Sequence, residues 1–279
     1  MISYIQVLGE IMAYRLAAVD LDDTLLTSER RINQRSKESL LKAARSGVTV
    51  VLCTGRTKKG AQRFYDDLGL DTLLITTGGA QVFDGDDAVY TKNVDPETAK
   101  KLLIYAYDNG IYANVYMDGE LVYKERNGFT DLYEKRYGHV GIMVPDLLER
   151  DIVTPKVLLF IAPEKMPYVQ AAVKKEFPML SAVRSHSSYL EFSDPEVSKG
   201  AALGFVAERY GIKRNEIIAF GDTEIDVSML EFAGLGVAVE NADPAAKQAA
   251  DIICASNDDG GIADVIEKYI LEEQSENKA

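Results

Sequence analysis

The sequence predicts an α/β protein, a doubly wound parallel sheet into which a second, α+β domain is inserted. Three observations carry that prediction. Apolar runs alternate with helical stretches over the first and last thirds of the chain, which implies right-handed βαβ crossovers and a parallel sheet covered on both faces. The middle third changes texture to short strands with hairpin turn signals. The first apolar run, Leu16-Ala17-Ala18-Val19, ends in Asp20-Leu21-Asp22-Asp23-Thr24, so carboxylates crowd a strand end, where open α/β sheets bind ligands. Aspartates also serve plain turns, and the rest of the chain must decide between the two.

After the acidic loop, Asn33 to Ser46 reads as a helix capped by Asn33 and stopped at Gly47. Val48 to Cys53 is a continuous apolar run, as a central parallel strand requires. A helix to about Leu68 and a strand at Leu73 to Thr76 follow. From about Asp84 the pattern becomes antiparallel. Asp95-Pro96 opens a helix that Gly110 closes, and Asp118-Gly119 joins strands at Ile111–Met117 and Glu120–Lys124. Further strands are expected at Lys156–Ile161, Leu180–Arg184 and Tyr189–Phe192, with a helix from Glu164 to Phe177. From about Val197 the alternation resumes: helix Lys199–Tyr210, strand Glu216–Phe220, helix Thr223–Ala233, strand Gly236–Val239, helix Pro244–Ala250, strand Asp251–Cys254 and a helix from Gly261. The core domain is therefore expected in two segments, 1–83 and 193–279, with the α+β insertion at 84–192. Residues 1–11 read as an extension ahead of a second candidate initiator, Met12, or as a small helix over the sheet edge, and the polar tail after Leu271 reads as frayed.

Ten of the 15 tyrosines fall between Tyr90 and Tyr189, where they are expected to cover a sheet face rather than line a carbohydrate pocket. His139 and His186 lack metal-ligand spacing and read as surface residues. With 279 residues, 47% hydrophobic and 27% charged, the chain has the composition of a soluble globular protein. Its formal net charge of −13 argues against nucleic acid or an anionic membrane as partner. It also means that an anionic substrate is drawn only to a locally positive site. No apolar stretch reaches the length of a membrane span, and residues 1–13 carry no basic n-region of a signal peptide. Cys53 and Cys254 sit inside apolar runs as reduced core thiols, which suits a cytoplasmic setting.

Four separated signals fall at the same end of the predicted sheet: Asp20-x-Asp22-x-Thr24, then Thr54-Gly55-Arg56, then Ser198-Lys199-Gly200, and finally Gly221-Asp222-Thr223-Glu224-Ile225-Asp226. Each alone is weak. In this order, each at a strand end or helix start, they resemble the motifs of phosphatases of the haloacid dehalogenase superfamily, in the Cof-type branch with a class IIB cap, and the resemblance runs from Leu16 to about Ile270. Only 34 positions separate Asp20 from Thr54, which leaves no room for a helical cap there. The 145 positions from Thr54 to Lys199 far exceed what two βα units need and match the place of the Cof-type insertion.

The resemblance implies a Rossmann-like core and a Mg2+-dependent phosphatase of small phosphorylated metabolites, sugar phosphates among them, that works through an aspartyl-phosphate. Asp20 would be the nucleophile and Asp22 the acid and then base. Thr54 and Lys199 would hold the phosphoryl oxygens, with Leu21, Gly55, Arg56 and Asn241 also at the phosphate. Mg2+ would be held by Asp20, Asp22 (through its carbonyl), Asp222 and Asp226. A phosphomutase or phosphotransferase on the same scaffold is the close alternative, a non-catalytic binding protein the distant one. A monomer and a homodimer are both compatible with the sequence. Three positions depart from the family pattern: Ile225 stands where GDxxND has Asn, Gly78-Gly79-Ala80 stands for Asn-Gly-Ala, and Ser198 precedes the lysine where Asn is frequent. Lys124, Arg126 and Arg184 are the basic residues that could reach substrate from the insertion.

Overall fold

A computed structural model of the chain describes residues 14–138 and 140–272. The readings made on residues 1–13, on His139 and on residues 273–279 lie outside the described residues.

The chain runs through β1 (Leu16–Val19), α1 (Gln34–Arg45), β2 (Thr49–Leu52), α2 (Lys58–Asp67) and β3 (Leu74–Thr76). A hairpin follows, β4 (Gln81–Asp84) and β5 (Asp87–Thr91). Next come α3 (Pro96–Asp108), β6 (Tyr112–Met117), β7 (Glu120–Tyr123), α4 (Gly128–Tyr137), β8 (Ile142–Met143), β9 (Val157–Phe160), α5 (Met166–Glu176), β10 (Ser181–His186) and β11 (Tyr189–Ser193). The last part is α6 (Lys199–Tyr210), β12 (Ile217–Gly221), α7 (Val227–Phe232), β13 (Leu235–Val239), α8 (Pro244–Ala249), β14 (Ile252–Cys254) and α9 (Gly261–Ile266).

Five strands form a parallel sheet in the order β14-β13-β12-β1-β2. The chain leaves β1 toward β2 on one side and returns as β12 on the other, so the strand order reverses at β1, and the crevice beyond the carboxyl ends of β1 and β12 is the topological switch point. One face of the sheet is covered by Leu40, Phe64 and Ile266 from α1, α2 and α9. The other is covered by Leu203, Met229 and Ala246 from α6, α7 and α8. This is the doubly wound core expected from the alternation.

Local chemistry starts the helices where the sequence placed them. Asn33 accepts from the N–H groups of Arg35 and Ser36, Asp95 from that of Thr98, and Ser198 from that of Ala201. Ser198 thus serves as a cap in the position where Asn is frequent in the family.

A second sheet of six strands, β10-β11-β9-β6-β7-β8, is antiparallel except for the β7–β8 pair. The Asp118-Gly119 turn joining β6 to β7 has both residues at positive φ, 52° and 76°. One face of this sheet packs on α3 and α5. The other carries Tyr112, Tyr116, Tyr123 and Tyr189, which together with Tyr133 of α4 form a buried cluster with Phe160. Tyr112 and Thr130 share a hydrogen bond there.

The structure differs from the sequence reading in places. The expected domain boundary at 83/84 falls inside the β4–β5 hairpin, whose Val82, Val89 and Tyr90 pack into the apolar cluster under α6. The change of texture at Asp84 marks a turn, not the end of that packing unit. Helix α4 and strand β8 were not expected. Helix α4 carries Asp131, Glu134, Lys135 and Arg136 in ten residues, which hides its period, although the Asn127–Thr130 capping box marks its start. Cys53 is buried, as read, but Cys254 is only partly so. Both thiols are free, and burial pushes the Cys254 thiol up to about 12.

Candidate active site

The carboxyl end of β1 delivers Asp20, and the backbone then makes a tight turn over Leu21–Leu25 in which Asp23 takes φ 61°. Aspartate tolerates that left-handed conformation better than most residues. The turn buries Leu21 and Thr24 and brings Asp22 back over the strand end. One strand away, β12 ends in Gly221, and Asp222 follows. Because Val19 pairs with Phe220, Asp20 leaves its strand beside Gly221, one residue before Asp222, and the two carboxylates come close together.

Asp20, Asp222 and Asp226 each place a carboxylate oxygen within 4.8 Å of the others, and all three are buried. Lys199, at the start of α6 and fully buried, sits among them: its Nζ donates to Asp20 Oδ1 and to Asp226 Oδ1, each at 2.5 Å. The other oxygen of Asp226 accepts from the N–H groups of Asp222 and Thr223 at 3.1 and 3.0 Å. Asp226 therefore fixes both the lysine and the loop that carries Asp222. Asp222 in turn accepts from the Thr24 hydroxyl at 2.8 Å.

One ammonium among three buried carboxylates leaves an excess of negative charge. Burial pushes the Asp20 carboxyl up to about 7, with Lys199 pulling it down and Asp226 and Asp22 pushing it up. Burial, then Asp20 and Asp226, also hold Asp222 well above the usual carboxylate range. Burial works to lower Lys199, but Asp20 and Asp226 outweigh it and keep the ammonium protonated. A crowded set of hard oxygen donors with surplus negative charge fits a cation of the Mg2+ type.

The second loop, after β2, brings Thr54, Gly55 and Arg56. Thr54 is fully buried and its hydroxyl accepts the Arg56 N–H at 3.1 Å. The Arg56 guanidinium grips Asp22 by two hydrogen bonds of 2.7 Å and lies 5.0 Å from the centre of the Phe64 ring. Arg30 adds a third contact to Asp22 at 3.1 Å.

Between these loops is a pocket of about 60 Å3, lined by Asp20, Asp22, Gly55, Arg56, Lys199 and Asp222 on one side. Tyr116, Tyr133, Ser185 and Glu191, on or beside the six-stranded sheet, line its other side. The two tyrosine hydroxyls share a hydrogen bond of 2.6 Å. Five of the ten tyrosines between Tyr90 and Tyr189 cover a sheet face, as expected, and these two also line the pocket.

Of the residues singled out from the sequence, Asp20, Leu21, Asp22, Thr54, Gly55, Arg56, Lys199, Asp222 and Asp226 are brought together by these loops. Asn241 is not a pocket residue: exposed, it donates to the Asp23 carbonyl at 2.7 Å and accepts from Asn257 N–H at 3.0 Å, bracing the acidic loop from behind. The basic residues expected from the insertion are engaged elsewhere. Lys124 lies over the Tyr107 ring, Arg126 pairs with Glu134 and Asp131, and Arg184 is exposed.

The cation there that binds residues lining the pocket is Lys156, just ahead of β9. It is buried, donates to the Gly55 carbonyl at 3.0 Å and to Glu191 at 2.9 Å, and lies over Tyr116. Glu191 also accepts from Ser185 at 2.6 Å. The one sequence signal for Lys156 was a lone charge at the head of an otherwise apolar run, Val157–Phe160.

Two departures from the family pattern meet in space. Gly78 has φ +71°, and a Cβ placed on it would stand 3.0 Å from Ile225 Cδ1. Beside it, Gly79 passes so close to the start of α6 that a Cβ there would lie 2.2 Å from the Ser198 carbonyl oxygen. Only glycine allows that approach.

A profile of the haloacid dehalogenase-like hydrolases matches residues 17–266. The Bacillus subtilis phosphatase YwpJ is 29% identical over 92% of the chain and 100% of its own length. The B. subtilis 5-amino-6-(5-phospho-D-ribitylamino)uracil phosphatase YwtE is 28% identical over 91% of the chain and 97% of its own length. The crystal structure of TM0651 from Thermotoga maritima superposes with a TM-score of 0.80, at 29% identity, over 91% of this chain and 97% of that one.

Proposed function

From the premise that the chain belongs to the haloacid dehalogenase-like hydrolases, we propose that it is a Mg2+-dependent phosphatase of small phosphorylated metabolites that works through a phosphoryl group carried on Asp20. The observation that carries this reading is the convergence of buried Asp20, Asp222, Asp226 and Lys199 at the switch point of the parallel sheet. Membership in a phosphatase-containing hydrolase family makes phosphoester hydrolysis the general activity; the cofactor, the substrate class and the residue roles are what is proposed.

In the first step an Asp20 oxygen attacks phosphorus in line, the bond between phosphorus and the ester oxygen breaks, and Asp22 supplies the proton that leaves with the alcohol. In the second, Asp22 takes a proton from water, the water oxygen attacks phosphorus, and inorganic phosphate departs as Asp20 recovers its carboxylate. Lys199 and the backbone N–H groups of the 21–25 turn stabilise the phosphoryl oxygens. Asp20, Asp222 and the Asp22 carbonyl would hold Mg2+, which neutralises phosphoryl charge when bound. Asp226 holds Lys199 and the Asp222 loop in place. Arg56 sets the direction of the Asp22 carboxylate.

The antiparallel domain, taken as residues 92–192, would bring the specificity groups. A sugar or polyol phosphate is the proposed substrate class, and the name of YwtE, which specifies a ribityl phosphate, supports it. Among the described residues no helix is long and apolar enough to cross a membrane, and the two free thiols suit a cytoplasmic setting. The test is inorganic phosphate release from sugar and polyol phosphates, with and without MgCl2. Release that requires Mg2+ and disappears in Asp20→Asn supports the reading. Release that survives either change, or transfer of phosphate to a second sugar without release, overturns it.

A further inference from the structure

Ten large apolar side chains stand exposed among the described residues, and five of them, Phe129, Leu132, Val140, Ile142 and Met143, fall within fifteen positions. They sit on α4, on β8 and just ahead of β8. Helix α4 buries Thr130, Tyr133 and Glu134, and Tyr133 lines the phosphoryl pocket, while Phe129 and Leu132, three positions apart, are left exposed. Glu134 accepts from the Gly141 N–H at 2.9 Å, which ties the helix to the head of β8. The exposed fractions run from 36% at Phe129 to 69% at Val140. They amount to on the order of 450 Å2 of surface, near the ~500 Å2 that each of two equal partners contributes to a small specific interface.

Strand β8 is also one edge of the six-stranded sheet. A sheet edge presents N–H and C=O groups to a further strand, and proteins commonly guard it with charge, proline or a bulge. The opposite edge, β10, is guarded in that way: Arg184 is exposed on it, and its register shifts between Arg184 and His186. β8 carries no charge, only Ile142 and Met143, with Val140 and Gly141 ahead of them. Two residues supply few ladder hydrogen bonds, so burial of the apolar surface must carry most of the affinity.

A second copy of the chain fits this surface. About a twofold axis an edge strand meets its own copy antiparallel, and the assembly closes at two. The same axis reverses α4, whose exposed Asp131 and Lys135 lie one turn apart, so Asp131 of each copy can meet Lys135 of the other. Net charge permits the approach here. The chain as a whole carries −13, but residues 124–143 hold four basic and three acidic residues, so two copies meet at this face without strong repulsion. We propose that the α4–β8 face is the interface of a twofold homodimer, built on antiparallel pairing of the two β8 strands and flanked by Phe129 and Leu132.

Sedimentation velocity on the full chain, from one to several hundred micromolar, is expected to show a monomer–dimer equilibrium and nothing larger. Leu132→Arg and Ile142→Arg are each expected to weaken association at least tenfold. Met179→Arg, which changes an exposed apolar residue outside the patch, is expected to leave it within twofold. Thermal melting establishes that each variant is folded. In a Cys254→Ser background, Ile142→Cys or Met143→Cys is expected to yield a disulfide-linked dimer on mild oxidation, because antiparallel β8 strands bring these positions close to their own copies. A chain that stays monomeric throughout leaves the face to a different partner and overturns the proposal. So does one that grows into open polymers, or a dimer that neither arginine weakens, whose interface must then lie elsewhere. If both arginine variants fail to fold, the cross-link decides: a linked dimer from either cysteine variant sustains the proposal, and its absence from both overturns it.

Discussion

The guanidinium of Arg56 holds the carboxylate of Asp22 in a fork, Nε to Oδ2 and Nη2 to Oδ1, both at 2.7 Å. The sequence had assigned these two residues separate duties, one at the phosphate and one as acid and base. The structure makes the first the support of the second. Hydrogen bonds to charged groups contribute about 1.5–3 kcal/mol, so Arg56→Ala is expected to lower kcat roughly ten- to hundredfold. Arg56→Lys is expected to recover little, because an ammonium cannot form the fork. Steady-state kinetics on both variants, with circular dichroism for folding, checks this.

Asp20→Asn is expected to abolish turnover while keeping the fold. It removes one of three buried carboxylates that repel one another around a single lysine, so metal-free thermal stability should hold or rise. A melting temperature that falls by several degrees without metal would show that the Asp20–Lys199 bond outweighs the repulsion.

The raised Asp20 pKa gives a pH dependence with a definite sign. Its folded value of about 7 exceeds the ordinary 3.8, so the unfolded chain gives up this proton first as pH rises. The Asp20 contribution to metal-free stability is therefore full below about pH 3.8 and is lost progressively as pH climbs through 7. Mg2+ binds the ionised carboxylate, so the rise in melting temperature on adding MgCl2 should be larger at pH 8 than at pH 5.5. Differential scanning fluorimetry at both values measures it.

Gly78 and Ile225 should behave as a pair. Asparagine tolerates the φ of +71° at position 78, but its Cβ meets Ile225 Cδ1 at 3.0 Å and its amide must go farther still. Gly78→Asn alone is expected to cost about 1–2 kcal/mol by overpacking. The double change with Ile225→Asn should recover most of that, giving non-additivity on the order of 1 kcal/mol in a denaturation cycle.

Lys156 ties β9 to the Gly55 carbonyl and to Glu191 in a nearly dry setting. Lys156→Met leaves Glu191 without its cation and should cost about 3–5 kcal/mol. Adding Glu191→Gln, which removes the stranded charge, should restore part of it; urea denaturation of the single and double variants compares them.

The core was legible because its signals are local. A parallel strand buried on both faces must be a largely apolar run, so Leu16–Val19 and Val48–Cys53 announce themselves. A helix needs its first N–H groups satisfied, so Asn33, Asp95 and Ser198 mark starts, and Lys199–Tyr210 was read to the residue. Asp20, Lys199 and Asp222 were legible for the same reason, each sitting where a strand ends or a helix begins. Sheet order, unlike strand identity, depends on packing between segments far apart in sequence. Only the tertiary structure put Val19 in register with Phe220, set Asp226 behind Lys199, turned Arg56 onto Asp22 and Asn241 onto the back of the loop, and seated Ile225 on Gly78. It also decided that Lys156, rather than Lys124, Arg126 or Arg184, ties onto residues that line the site. Those contacts join residues tens to more than two hundred positions apart, and no local periodicity or capping preference encodes which partner a side chain meets once the chain has closed.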